Sequence, residues 1–332
     1  MSESKSDWND FLKNTKISEF IPSPPLDLLE IDEEMNAYDA VMLLHSHGFF
    51  SAPVKRHNVD EALPCSEKYI GVLSPHDILS CFIKCAVDTK LYVVEEDIEE
   101  GDKHTEKDEH AISKIDKMKE YKVKDIVGSC PFVYINSDTS VYECIKIITE
   151  RRAFRLCVVD HETGSHIVDF ISKTKIEMIL YPFLHNYPSI SNLSLKQLSL
   201  TQPQQVLTLE RHHITFEAFQ LLSSNAIGGI PIVDNIGSLV GRISVKDIYH
   251  IMASLSIYQT IKLPIGKYLE KREFDLGVKV SSDAIICHET DTIEMLINTY
   301  ITDSTNRVFL VNENKIPIRC ITLFDLLKAF IE

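Results

Sequence analysis

The feature that most constrains this chain is a phrase that recurs four times. It reads Gly71-Val-Leu-Ser-Pro-His-Asp77, Phe170-Ile-Ser-Lys-Thr-Lys175, Arg242-Ile-Ser-Val-Lys-Asp247 and Cys320-Ile-Thr-Leu-Phe-Asp325. In each, a strand-like apolar end runs into Ser or Thr, and an acid follows three residues later, except in the second, where Lys175 stands. The final positions lie 98, 72 and 78 residues apart. Self-similarity of this kind signals repeated supersecondary units rather than one irregular domain.

The flanks repeat as well. An apolar, strand-like run precedes each phrase, at 51–54, 155–159, 229–233 and 307–311. Before each run, apolar residues recur three and four apart at 37–44, 141–148, 216–222 and 293–297, the spacing of a helix with one buried face. Short β-type segments open the units at 28–31, 133–135, 206–209 and 285–287. Asp138-Thr139 and Asp291-Thr292 supply residue types that cap helix starts. One unit therefore reads strand, helix, strand, strand, helix, and the chain is predicted to be α/β. A unit of ~60 residues buries too little apolar surface to stand alone, so units should pair into two pseudo-symmetric domains. Pro182, Pro188 and neighbouring Ser and Asn residues interrupt the periodicity, which places a boundary near 185. The expected layout is an N-terminal extension at 1–20, a first pair at 21–185 and a second at 186–332.

The first spacing is long because of an acidic insertion at 95–110. Residues 95–109 carry nine acids against two lysines, so this stretch holds seven of the fifteen excess negative charges of the chain. Low hydrophobicity with dense like charge predicts a solvated insertion. The overall balance of 34 Lys and Arg against 49 Asp and Glu argues against nucleic-acid polymers and anionic membranes, which attract basic surfaces. It does not speak against one basic cleft for a small anion. No apolar run approaches the ~18–20 residues of a membrane helix. The polar stretch 1–14 lacks a signal-like core, so the expected location is the cytoplasm, with the nucleus as a second compartment. The eight cysteines form no Cys-x-x-Cys and the thirteen histidines no zinc spacing. They read as buried thiols and scattered imidazoles, with no metal or cofactor expected. Gly-x-Gly-x-x-Gly, Walker and Gly-x-Ser-x-Gly patterns are absent, and no nucleophile–base pair emerges, so no catalytic residue and no enzyme is expected.

With these residues in view, the unit resembles the cystathionine-β-synthase (CBS) motif, and four of them resemble two tandem Bateman pairs. The second half carries the likeness best, in Ile227-Gly-Gly-Ile-Pro-Ile-Val-Asp234, Val240-Gly-Arg-Ile-Ser-Val-Lys-Asp-Ile248 and Ile257-Tyr-Gln; Trp8-Asn-Asp-Phe-Leu12 is similar to plant-type members. Four units without a catalytic domain resemble the gamma regulatory subunits of the AMP-activated and sucrose-nonfermenting-type kinases. The resemblance implies a disc of four CBS units that senses AMP, ADP or ATP in its clefts, with a kinase alpha subunit and a beta subunit as partners. It implies ribose-binding carboxylates at Asp77, Asp247 and Asp325, and a vacant cleft marked by Lys175. A cis-diol presents two adjacent donors, which one carboxylate can accept. It further implies phosphate or base contacts from Arg155, Arg307, Ser244, Thr322, Thr201, Gly228 and Gly229.

Two other readings stay open. Ser-x-x-Asp is also close to a capping box, which starts helices. The chain also departs from the family pattern at Phe50, Phe154, Asn306 and Thr174, which predicts a thinned phosphate cluster. The alternatives are a kinase scaffold that has lost nucleotide binding, and a Bateman protein for another adenosyl ligand such as S-adenosylmethionine.

Overall fold

In each unit the opening strand pairs in parallel with the second, and the second pairs antiparallel with the third. The computed structural model describes residues 5–22, 28–89, 116–151, 153–160, 162–254, 257–277, 285–303 and 305–332; the insertion at 95–110 lies outside the described residues. Unit 1 holds β1 (Ile31–Asp32), β2 (Ala52–Lys55) and β3 (Tyr69–Leu73). Unit 2 holds β4 (Tyr134–Asn136), β5 (Arg155–Val159) and β6 (Ile167–Ser172). Unit 3 holds β7 (Leu209–Glu210), β8 (Gly229–Val233) and β9 (Leu239–Ser244), and unit 4 holds β10 (Ile286–Cys287), β11 (Arg307–Val311) and β12 (Pro317–Thr322). Parallel pairing requires a crossover. Helices α2 (Ala37–Ser46), α4 (Val141–Arg151), α6 (Thr215–Ser224) and α9 (Ile293–Thr302) provide it. A bulge breaks the antiparallel register at the same place in every unit, at Val54/Lys55, Val158/Val159, Ile232/Val233 and Leu310/Val311.

The closing helices start at the recurring phrase. They are α3 (Pro75–Asp88), α5 (Lys173–Leu184), α7 (Asp247–Met252) and α10 (Leu323–Ile331). Ser74 and Ser172 cap theirs by accepting from the backbone N–H of Asp77 and Lys175, and Thr322 forms a capping box with Asp325. Two further helices bear on function, α1 (Lys5–Asn14) and α8 (Ile265–Leu276).

Apolar burial joins the units in two directions. One large core contains Ile31, Leu44, Phe82, Phe216, Ile248 and Tyr268, and so fuses units 1 and 3. The other contains Ile145, Leu180, Ile297, Leu327 and Phe330, and fuses units 2 and 4. Smaller clusters link the sheets in chain order: Cys65, Tyr69 and Val159 between units 1 and 2, and Leu239, Ile285 and Phe309 between units 3 and 4. The result is a four-unit body with one common centre.

Residues 5–20 pack into the body rather than standing apart as an extension. Trp8 is fully buried, donates its indole N–H to the Phe330 carbonyl at 3.2 Å and packs on Phe11, Tyr187 and Phe330. Burying such a ring contributes ~3–5 kcal/mol. Lys16 then bridges Ser140 at the start of α4, so the segment completes unit 2. Lys122 does the same for unit 1 at Asn36, Pro264 for unit 3 at Ile214 and Ser194 for unit 4 at Thr292. All eight cysteines are free, and only Cys320 is not fully buried. No described helix is long and apolar enough to cross a membrane.

Candidate functional site

Five cations meet at the common centre. Lys246 of unit 3 feels Arg307 of unit 4, Arg242 of its own unit, and Arg155 and Lys173 of unit 2 as like-charged neighbours. Unit 1 contributes His76, which faces Arg307. Each reaches the centre because it lies within a recurring phrase or at the start of the second strand, which pairs with that phrase. All six are half-buried, and none of the five Lys and Arg residues has an ion-pair partner among the described residues. The Nε of Arg307 is buried without any hydrogen bond.

The electrostatic consequence is uniform. Burial, reinforced by Arg307, Arg242, Arg155 and Lys173, pulls the Lys246 ammonium down to about 8. Burial lowers Arg242 to about 10, with Arg307 and Arg272 acting in the same direction against Asp247. Burial also lowers Arg155, Lys173 and Arg307, and it lowers His76 with help from Arg307. Confining like charges in a low-dielectric centre is unfavourable until an anion enters. Aromatic faces offset part of that cost. Lys246 lies 4.4 Å from the centroid of Phe50, Lys173 5.3 Å from Phe154 and 5.9 Å from Phe324, and Arg155 5.4 Å from Phe170. Ring faces attract cations by ~0.5–2 kcal/mol.

The expected thinning of the cluster is therefore not what the structure holds. Phe50 and Phe154 carry no charge, but each seats a lysine, and Lys173 stands beside Thr174 where a basic residue was missed. The residues that sequence reasoning passed over are His76, Lys173, Arg242 and Lys246. A signal was present, because His76 and Lys246 directly precede the acid of their phrase, and Lys173 directly follows its Ser.

The expected ligand-binding residues divide. Arg155 and Arg307 lie in the cluster. Gly228 and Gly229 lie against Arg307, and a Cβ on Gly229 would come within 2.6 Å of its Nη1, with a closer clash at Gly228. These glycines let the guanidinium of unit 4 rest on the backbone of unit 3. Asp325 is half-buried and electrostatically close to Lys173. Its Oδ2 accepts from the Thr322 N–H at 2.7 Å and the Thr322 hydroxyl at 2.6 Å, which leaves Oδ1 without a protein donor among the described residues.

Asp77 and Asp247 are more committed. Ser74 donates its N–H and hydroxyl to Asp77 Oδ2 at 2.9 and 2.8 Å, and the Ser129 N–H reaches Oδ1 at 2.9 Å. Ser244 binds Asp247 Oδ2 in the same way, at 2.6 and 2.9 Å. Asp247 Oδ1 accepts from Arg272 Nη1 at 2.7 Å and the Tyr268 hydroxyl at 3.2 Å. Burial pushes the Asp247 carboxyl up, but Arg272 and Ser244 outweigh it and hold it below the usual range. A carboxylate so engaged has little left for a diol. Lys175 pairs with buried Asp169 of its own sheet. Thr201 lies in a segment tied to β12 through Gln202 and Gln204, and no hydrogen bond links it to the cluster.

A sequence profile described as "CBS domain" matches residues 123–179, 203–254 and 275–332, just over half of the chain. Over 215 residues the chain is 24% identical to the "SNF1-related protein kinase regulatory subunit gamma-1-like" protein of Arabidopsis thaliana, covering 60% of this chain and 46% of that one. Over 355 residues it is 21% identical to the "SNF1-related protein kinase regulatory subunit gamma-1" of the same plant, covering 97% of this chain and 83% of that one. Its matches to the gamma-3 subunits of 5'-AMP-activated protein kinase from pig and cattle span 38% and 40% of those proteins, so the chain spans less than half the length of several curated relatives it matches. Among solved structures, the fold is similar to protein MJ1225 of Methanocaldococcus jannaschii, described as a proposed archaeal homolog of the AMP-activated kinase gamma subunit. The TM-score is 0.67 at 15% identity, over 95% of this chain and all of that one.

Proposed function

The chain belongs to the CBS-domain family, and from that premise we propose that it is a non-catalytic regulatory subunit that holds an adenine nucleotide where its four units meet. The observation that carries this reading is the cluster of Arg155, Lys173, Arg242, Lys246 and Arg307, unpaired with acids in a chain that has an acid excess. Phosphates supply the missing counter-charge, because guanidinium and ammonium groups form charge-assisted bonds to them. Asp325, with one free oxygen beside Lys173, is the carboxylate best placed for a ribose. The likeness to gamma subunits supports a kinase alpha subunit and a beta subunit as partners, with AMP, ADP or ATP as the signal. Occupancy would alter the kinase only through different affinities in its two states.

Isothermal calorimetry with AMP, ADP and ATP tests the reading. The parent chain should bind, and Arg307→Ala and Asp325→Ala should each weaken binding about tenfold or more. A parent that binds none of the three overturns it. The second reading, a scaffold that no longer senses nucleotides, draws on Asp247 being taken by Arg272 and Asp77 by Ser129. It gains if calorimetry is silent while the chain still captures alpha and beta subunits. The S-adenosylmethionine alternative fares worse, since a sulfonium would enter a field of like charge.

A further inference from the structure

Lys246 is held unlike the lysines of this chain that pair with acids. Lys55, Lys124, Lys175, Lys267, Lys271 and Lys328 each touch a carboxylate. Lys246 instead has the Phe50 ring on one side at 4.4 Å and four cations around it. Burial strips water from the amine and the guanidinium groups oppose its protonation, together outweighing the pull of the Phe50 ring. Both make a lysine nucleophilic near neutral pH. The same guanidinium groups attract a phosphate dianion to the amine.

The geometry points to Lys246 as a covalent modification site, acylated at Nζ by small acyl phosphates, the mixed anhydrides of a carboxylic acid and phosphoric acid. In this step the Nζ lone pair attacks the acyl carbon. The N–C bond forms, the bond between the acyl carbon and the bridging oxygen breaks, and inorganic phosphate leaves with that electron pair. The extra proton on nitrogen passes to solvent or to the phosphate, and no oxidation occurs. Arg242 and Arg307 are the positioning residues for the phosphate. The product amide is neutral, so one of the five central charges is removed, and acylation would lower the affinity of the centre for any phosphate. This proposal rests on the cation cluster alone and does not require that an adenine nucleotide bind.

The burial and like charges that bring the Lys246 ammonium down to about 8 set the expected rate. At pH 7.5 its free-amine fraction exceeds that of an ordinary lysine by about two hundredfold, and lower basicity returns part of that, leaving about a tenfold faster reaction. The test is timed labelling of the full chain with acetyl phosphate at pH 7.5, read by peptide mass spectrometry. Lys267 and Lys328, exposed and paired with acids, serve as internal references. Lys246 should be acetylated about ten times faster than either, and inorganic pyrophosphate should slow Lys246 alone. In parallel, acetic anhydride, which carries no phosphate, should show a smaller preference for Lys246. Labelling of Lys246 no faster than Lys267, or unaffected by pyrophosphate, overturns the proposal. An equal preference with acetic anhydride overturns the role given to the arginines. Silent nucleotide calorimetry with rapid, pyrophosphate-sensitive labelling would reject the nucleotide reading and keep this one.

Discussion

Replacing Lys246 with Met should stabilise the ligand-free protein while weakening its hold on phosphates. The native ammonium is pulled from its usual 10.5 to about 8. At ~1.4 kcal/mol per unit, keeping it charged in the folded state costs about 3 kcal/mol. Met retains most of the aliphatic stem but forfeits the attraction to Phe50, about 1 kcal/mol. The net gain is about 2 kcal/mol at pH 7, or roughly 3 °C in Tm for a chain of this size. The pH dependence has a definite sign. The folded value lies below the unfolded one, so between about 8 and 10.5 the unfolded chain binds more protons and the stability of the parent rises with pH. Below about 8 the full cost is present, and near 10.5 it is gone. The advantage of Lys246→Met should therefore be largest at pH 7 and mostly lost at pH 9.5. Thermal unfolding followed by circular dichroism, in phosphate-free buffer at low salt, measures it, and pyrophosphate calorimetry at pH 7 gives the matching loss of affinity. A variant less stable than the parent at pH 7, or an advantage unchanged at pH 9.5, would refute the view that the centre is a strained cation cluster.

Three other perturbations separate binding from folding. Gly228→Ala should push the Arg307 guanidinium off the strand, lowering pyrophosphate affinity about tenfold in calorimetry while the circular-dichroism spectrum stays unchanged. Asp247→Ala should cost about 3–5 kcal/mol in urea unfolding, because it strands Arg272 in a buried pair; an unaltered midpoint with lost nucleotide affinity would return Asp247 to the ribose role. Glu177, fully buried with neither carboxyl oxygen bonded, is pushed up to about 8 by burial, so its contribution is intact below about 4.5 and stability is lost as pH rises through about 8. Glu177→Leu should accordingly exceed the parent in stability at pH 8.5 by more than at pH 5 in thermal unfolding.

Much of the scaffold is legible in sequence because its signals are local. The second strands of units 2, 3 and 4 begin and end at the residues the apolar runs mark, and the helices over 37–44 and 141–148 extend by one turn or less. What sequence does not reveal is which units share a core. Smaller clusters do link the units in chain order, yet the large apolar clusters join unit 1 to unit 3 and unit 2 to unit 4 through both their crossover and their closing helices. The capping-box reading of Ser-x-x-Asp and the ligand reading both describe real features. Asp77, Asp247 and Asp325 each take two donors from their Ser or Thr. Only the partner of the second oxygen separates them, and for Asp247 that partner is Arg272, twenty-five residues away in sequence on α8. No local pattern announces it.

The placement of charge bears on function more than its sum. Two buried cations outside the centre are matched by acids: Arg272 by Asp247 and Lys68 by Glu61. Acids outnumber bases in the chain, so counter-charge was available for the central five as well. Three of them, Arg155, Lys173 and Lys246, sit instead on aromatic faces, at Phe50, Phe154, Phe170 and Phe324. A ring face holds a cation without neutralising it, so the charge remains available to an incoming anion at a smaller cost than an ion pair would impose, since no carboxylate must be displaced. Pseudo-symmetry does the rest, since repeating one strand-to-helix phrase and the strand paired with it around a common centre brings together basic side chains that lie up to 231 residues apart in the chain, from His76 to Arg307.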